Sequence, residues 1–277
     1  MRFRKVYIEI SNLCNLKCSF CPGTKRPPRR MGIAEFSALM PKLRPYTDFI
    51  YFHLMGEPLC HPELKTFLAI AHDFGFRVII TTNGTLLPKT QEILLSAPAL
   101  HKINISLHAF EANDLPITFE EYLDNCFRFG QASAGQKLVV YRLWNQGGKD
   151  ALNGNILEKM RQFFPESWVV ERQGTRIAHK TYLEYGDKFD WPDLSVPEEE
   201  APKFCYGLRD QLGILCDGTV VPCCLDHEGD IALGNLFTQD LQEIQESPRA
   251  QAIYNGFTSK EAIEPLCRRC GYAKRFG

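Results

Sequence analysis

The stretch VYIEISNLCNLKCSFC, residues 6–21, carries an apolar strand pattern straight into a loop with three cysteines. Val6–Ser11 reads as a strand, and Cys14, Cys18 and Cys21 fall in the loop that follows it. Short apolar runs then recur at Phe49–Leu54, Arg77–Thr82, Lys102–Leu107, Lys137–Leu143 and Trp168–Glu171. Amphipathic segments separate them at Ile33–Arg44, Pro62–Phe74, Thr90–Ser96, Phe119–Gln131 and Ile156–Phe164. Strict alternation of strand and helix predicts an α/β fold with a parallel sheet and right-handed crossovers, doubly wound or curled into a barrel. In such sheets ligands bind beyond the carboxyl ends of the strands, so the three cysteines stand where chemistry belongs.

The first domain is predicted over residues 1–172. Residues 173–204 mix Tyr182, Tyr185, Phe189 and Trp191 with charges and prolines, and read as a linker. From Cys205 to Gly277 a smaller domain is expected. In it LGILCDGTVVPCC suggests a β-hairpin turning at Asp217-Gly218, followed by a short helix over Leu241–Glu246.

The chain has 277 residues, 32 basic against 33 acidic, so nothing in its charge calls for nucleic acid or an anionic membrane as partner. Glu9 and Asn12 interrupt the only apolar run near the N-terminus. No apolar stretch approaches the roughly 18 residues needed to cross a bilayer, and a cytoplasmic location is expected. In a reducing compartment, eleven cysteines speak for metal ligation before disulfides.

Structural zinc is closed by four protein ligands, and the first loop offers three. A cubane iron–sulfur cluster held by three cysteines keeps one iron open. Cys14-x3-Cys18-x2-Cys21, with Phe20 before the last cysteine, resembles the signature of radical S-adenosylmethionine (radical SAM) enzymes. That resemblance implies a partial (β/α)6 TIM-type barrel, a 4Fe-4S cluster on Cys14, Cys18 and Cys21, and S-adenosylmethionine chelating its open iron. Met55-Gly56-Glu57-Pro58 is similar to the family's Gly-Gly-Glu-Pro element, with Met55 in place of the first glycine. Gly56, Glu57 and Pro58 are thereby implied in cofactor binding, as are Phe20, Asn83 and Ser106. Arg142, late in the fifth strand, is a planar donor suited to the cofactor's carboxylate. Asn83-Gly84 also reads as a plain turn, and Ser106 as a strand-end hydroxyl.

At the other end of the chain, a two-residue turn would pair 216 with 219 and set Cys216 and Cys223 about 13 Å apart along the ladder. Cys223 and Cys224 should point to opposite faces, while Cys267 and Cys270 form a C-x2-C loop. Cys205, Cys223, Cys267 and Cys270 make one set of four, suited by spacing alone to zinc or to an iron–sulfur cluster. The set resembles the SPASM domain in its shortened twitch form, which implies an auxiliary 4Fe-4S cluster. Cys126 reads as a core residue and His53 as packed or hydrogen-bonded in the second strand. His108 and Cys60 are the candidates for contact with substrate. The basic run KRPPRR, 25–30, reads as a solvated loop or as a contact for substrate phosphate or carboxylate.

The expected activity is cleavage of S-adenosylmethionine and hydrogen abstraction, with a flavodoxin or ferredoxin as external reductant. The substrate is expected to be a peptide or protein, with dehydrogenation of a small molecule such as an aminocyclitol as the alternative. A strand at the very start leaves no room for a fused leader-binding domain, so a peptide would arrive with a separate partner. A non-catalytic electron carrier or zinc scaffold is the alternative of another class.

Overall fold

Along the first strand Val6 and Ile8 are buried to nothing, while the residues between them turn to the opposite face. The same division runs through the sheet, and it gives the protein an apolar outside layer and a polar inside. The computed structural model describes residues 2–133, 135–198 and 204–276; residues 199–203 of the expected linker lie outside the described residues.

Five strands alternate with helices as expected: β1 Lys5–Ile8, α1 Ile33–Leu43, β2 Phe49–Phe52, α2 Leu64–Asp73, β3 Arg77–Thr82, α3 Leu87–Ser96, β4 Leu100–Ser106, α4 Phe119–Ser133, β5 Leu138–Gln146 and α5 Asn153–Phe163. Then come β6 Val169–Glu171, β7 Gly174–Ala178 and β8 Thr181–Asp187. The C-terminal part holds β9 Gln211–Ile214, β10 Thr219–Val221, β11 Gly234–Asn235, α6 Leu241–Glu246 and α7 Pro248–Thr258. All strands join one open sheet in the order β11-β10-β9-β1-β2-β3-β4-β5-β8-β7-β6.

Strands β1 to β5 are mutually parallel, and β8 continues them beside β5. The architecture is thus a partial, unclosed barrel. Its sixth parallel strand is β8, not Trp168–Glu171. The latter segment is the edge of an antiparallel meander, β6-β7-β8, that folds back onto the sheet. The stretch read as a linker therefore contributes two strands: TYLEYGD buries Thr181, Tyr182 and Leu183 and alternates as a half-buried strand does.

The outward face packs on the helices. Val78, Ile80, Ile103, Ile105, Val139, Tyr141 and Leu143 are buried there with Phe36 and Phe67, whose rings stack at 4.4 Å. Burial of this layer, at about 25 cal/mol per Å2 of apolar surface, is the main force holding the helices to the sheet.

The C-terminal hairpin does not stand apart. Strand β9 pairs in parallel with β1, Val6 opposite Leu212 and Ile8 opposite Ile214. Its turn differs from expectation by one residue. Ile214 faces Val220 and the Leu215 N–H donates to the Thr219 carbonyl at 2.9 Å, so the loop is Cys216-Asp217-Gly218. Gly218 takes φ +86°, the left-handed residue that a three-residue hairpin loop needs. Helix α7, absent from the sequence reading, starts at Pro248 with Ser247 capping the Ala250 N–H.

Candidate functional site

The loops after β1, β2 and β3 are bound to one another, and this fixes the cysteines. Gly56, at φ +79°, lies so close to the first loop that an added Cβ would stand 2.2 Å from the Ser11 carbonyl oxygen. The Glu57 N–H donates to the Leu13 carbonyl at 2.9 Å. The Glu57 carboxylate, 2% exposed, accepts from the Leu59 N–H at 3.0 Å and the Asn83 N–H at 2.8 Å. It caps the short helical turn begun by Pro58 and ties the second loop to the third. Burial outweighs these hydrogen bonds and pushes its pKa up to about 7.

Asn83 in turn holds the cysteine loop. Its Nδ2 donates to Asn15 Oδ1 at 3.0 Å and lies 3.9 Å from Cys14 Sγ. Cys18 Sγ accepts from Asn113 Nδ2 at 3.1 Å, and the Asn113 side-chain oxygen accepts the Lys17 N–H at 3.0 Å. Donors aimed at sulfur favour the thiolate over the thiol and suit a metal-bound sulfur. Asn113 and Asn15 escaped the sequence reading; Asn113 lies in the segment after β4, where the strand-end rule points. Cys60 stands 3.6 Å from Asn15 Oδ1, beside this network and away from the cavity below it.

In the basic run Lys25, Pro27, Pro28 and Arg30 are exposed, as in a solvated loop, while Arg26 and Arg29 turn onto the protein, and none of the six lines the cavity described next. Arg26 makes a two-pronged ion pair with the fully buried Glu9, at 2.8 and 2.5 Å, and donates through Nε to the His227 carbonyl at 2.8 Å. Arg29 donates to the Cys216 carbonyl at 2.8 Å and pairs with Glu35. Both staple the segment after Cys21 to the C-terminal hairpin and α1.

Inside the barrel lies a cavity of about 220 Å3. Phe20, Ser106 and His108 line it near the cysteine loop; Tyr7, Tyr51, His53, Thr81, Asn104, Arg142 and Trp144 line it along the strands; and Cys224, Leu225 and Tyr272 line it from the C-terminal part. His108 rests against Phe20 with ring centroids 4.9 Å apart, and its Nδ1 is 3.1 Å from the Arg142 carbonyl. Arg142 pairs through Nε with Glu184 at 3.1 Å and lies over the Trp144 ring at 4.5 Å, leaving its remaining N–H groups for another acceptor. Burial first, and the Arg142 charge with it, bring both His53 and His108 down to about 4, so both are neutral near pH 7.

Cys205, Cys223, Cys267 and Cys270 line a second cavity together with Leu225, Asp226, Leu266 and Ala273. Cys224 lines the barrel cavity and not this one, and it shares a third cavity with Cys205, Cys223 and Cys270; Cys216 is buried within the hairpin. Burial pushes the Cys205 thiol up to about 11, and burial and the neighbouring sulfurs push Cys223 well up. Four half-buried thiols with raised pKa values ionise together only around a cation, so the donor set fits a thiolate-ligated metal group. Among the described residues, no three His, Cys, Asp or Glu side chains gather closely enough to hold a single metal ion; these four surround a space. Among the described residues no helix is long and apolar enough to cross a membrane.

Residues 8–141 match the model of the radical SAM superfamily, and residues 205–271 match that of an iron–sulfur cluster-binding domain, SPASM. A Pyrococcus furiosus protein, the tungsten-containing aldehyde ferredoxin oxidoreductase cofactor-modifying protein, is 30% identical over 151 residues. The match takes in 50% of this chain and 38% of that protein, so the chain spans well under half of that relative's length. The crystal structure of BtrN in complex with AdoMet and 2-DOIA superimposes with a TM-score of 0.64 at 20% identity, over 98% of this chain and 93% of that one. Streptococcus suis SuiB bound to precursor peptide SuiA gives 0.64 at 17% identity, over 99% and 71%. With residues 8–141 and 205–271 so matched, the chain belongs to the radical SAM superfamily and carries a SPASM-type iron–sulfur domain behind its partial barrel.

Proposed function

We propose that the protein is a radical SAM enzyme that abstracts hydrogen from a substrate held in the barrel cavity and oxidises it by two electrons. The observation that carries this reading is the position of the cavity. One end is walled by Phe20, Ser106 and His108 beside the three-cysteine loop, the other by Cys224, the chain neighbour of Cys223.

When bound at Cys14, Cys18 and Cys21, a 4Fe-4S cluster and S-adenosylmethionine supply a 5′-deoxyadenosyl radical. The protein's own residues bind, aim and shield. Glu57, through Asn83 and Asn15, fixes where Cys14 lies, and Asn113 does the same for Cys18. Ser106 and the free N–H groups of Arg142 are donors at the cavity wall for the cofactor's polar groups, and Phe20 closes the wall beside them. His108, neutral and held by backbone, offers no charge to the substrate. Cys205, Cys223, Cys267 and Cys270 would hold a second 4Fe-4S cluster, whose chemistry there would be to accept one electron from the substrate. An external one-electron reductant of the flavodoxin or ferredoxin class serves the first site.

The substrate is a peptide residue or a small molecule. SuiB, bound to a precursor peptide, supports the first. BtrN, whose complex with 2-DOIA matches over nearly the full length of both chains, supports the second.

The test is anaerobic reconstitution with iron and sulfide, then dithionite and S-adenosylmethionine. About eight irons per chain and formation of 5′-deoxyadenosine are expected. Intact clusters without 5′-deoxyadenosine would leave a non-catalytic electron carrier as the better reading.

A further inference from the structure

The inner face of the barrel is unevenly charged. Lys5 opens β1 and lines the cavity at the end away from the cysteine loop, and Arg142 lines it nearer that loop. No Asp or Glu lies among the lining residues. By register Lys102 stands level with Ile79, Tyr51 and Tyr7, on the same inward face. Glu184 answers both Lys102, at 3.4 Å, and Arg142, at 3.1 Å. Among the described residues no carboxylate lies within ion-pair distance of Lys5. Lys188 lines the cavity too and lies 3.9 Å from Asp190, so two carboxylates answer four cations; an excess of positive charge is left, and its reach is visible in its neighbours. Besides burial, His53 is held down by Arg142 and Lys5, and Lys102 by Arg142 and Lys5 against the pull of Glu184.

Two polar groups in the same wall are also without partners. Asn104, 2% exposed, gives its Nδ2 to Thr81 at 3.2 Å, and its Oδ1 has no partner. Trp144 Nε1 is buried without one. A buried polar atom left unpaired costs about 1–3 kcal/mol, and a cavity is where such a cost is tolerated for the sake of a ligand. Tyr7, Tyr51 and Tyr272 complete the wall with ring faces and edges.

We infer that the substrate carries an oxyanion, a carboxylate or phosphate, that docks on Lys5 at the end of the cavity remote from the cysteine loop. Its adjoining part lies along the tyrosines and satisfies Asn104. This rests on the reading of the cavity as the substrate site, and it names the class of substrate: anionic groups are accepted and ammonium groups repelled. A cationic aminocyclitol is therefore a poor fit, and an acidic residue or a carboxylated or phosphorylated small molecule a good one.

The experiment is anaerobic calorimetry on the reconstituted protein with S-adenosylmethionine at saturation. The probes share one ring and differ in charge: 3-phenylpropanoate, phenyl phosphate and 3-phenylpropylamine. A blocked acidic dipeptide, acetyl-Glu-Tyr-amide, is the arm for a peptide residue.

The anions are expected to bind at least tenfold more tightly than the amine. Lys5→Met should weaken them about tenfold and Lys5→Arg less than threefold, while the exposed Lys65→Met on α2 changes nothing. Lys5→Glu should reverse the preference toward the amine. Lys5 is exposed, so these variants fold.

Equal binding of amine and anion, or anion binding indifferent to Lys5, overturns the inference. So does anion binding that saturating S-adenosylmethionine abolishes, since the anion would then sit at Arg142. If 5′-deoxyadenosine never forms yet anion binding still depends on Lys5, the proposed activity fails and the anion site stands.

Discussion

Replacing Arg26 by Met tests how the cysteine loop is anchored. Glu9 has no exposed side-chain surface and Arg26 little, 0% and 13%. Arg26 supplies two of the three hydrogen bonds to that carboxylate; the third comes from the Cys216 N–H at 3.0 Å. Removing the cation leaves a buried, uncompensated charge, which costs about 3–5 kcal/mol. The His227 carbonyl loses its Arg26 donor as well.

A loss of about 4 kcal/mol lowers a urea midpoint by roughly 1.3 M at an m-value near 3 kcal/mol/M. Adding Glu9→Gln removes the charge and keeps an acceptor for Cys216, so the double variant should regain about 2 kcal/mol relative to Arg26→Met. Urea unfolding followed by circular dichroism, with iron counted at each step, reads both effects. Iron at the three-cysteine site should fall before the fold does, because Arg26 lies five residues beyond Cys21. A single variant costing less than about 1 kcal/mol, or a double variant costing the sum of the singles, refutes the buried-clamp reasoning.

Gly56→Ala forces a side chain against backbone at positive φ; a loss of about 3 kcal/mol and poor reconstitution at Cys14, Cys18 and Cys21 are expected. Normal iron content and stability would show that the two loops do not need their close approach. Cys223→Ala should cost the second cluster, about four irons per chain, whereas Cys224→Ala should keep it; iron and sulfide analysis decides, and equal losses would contradict the assignment of Cys223 alone of the two to the set of four. His53 is lowered in the folded state, so it contributes stability that is fully present above its ordinary value near 6.5 and is lost as pH falls toward about 4. With some access to the cavity, the contribution is about 2 kcal/mol, and His53→Gln should flatten the fall in stability between pH 7 and 4.5; an unchanged slope would exclude His53 as its source.

The parallel strands were legible because each buries one face under helices, which leaves Ile79-Ile80 or Ile103-Asn104-Ile105 as an unmistakable run. The sixth strand was not. TYLEYGD is bordered at its edge by β7 of a short antiparallel meander, where its predecessors lie between parallel neighbours, and it carries tyrosines and acids where they carry isoleucines. The arginines of KRPPRR were unreadable for another reason. Arg26 finds its carboxylate 17 residues earlier and Arg29 its carbonyl 187 residues later, and neither partner has any signature near the run. The hairpin turn slipped by one residue because Asp-Gly serves both a two-residue loop and the end of a three-residue one.

Cys223 and Cys224 follow closely on β10, which ends at Val221, so the hairpin's register sets where this pair begins. In the register found, Cys223 looks to Cys205, Cys267 and Cys270, and Cys224 looks into the barrel beside Tyr7. The pairing of β9 with β1 sets this, since Leu212 and Ile214 are locked opposite Val6 and Ile8 at the strand that also delivers Cys14. One strand pair thereby joins the segment leading to Cys14 to the hairpin leading to Cys223. On the proposed reading, a substrate held in the cavity would meet the first site through Phe20 and Ser106 and the second through a single peptide unit, Cys223-Cys224. Loosening that strand pair, by a charge at Leu212 for example, should uncouple substrate oxidation from 5′-deoxyadenosine formation before either cluster is lost.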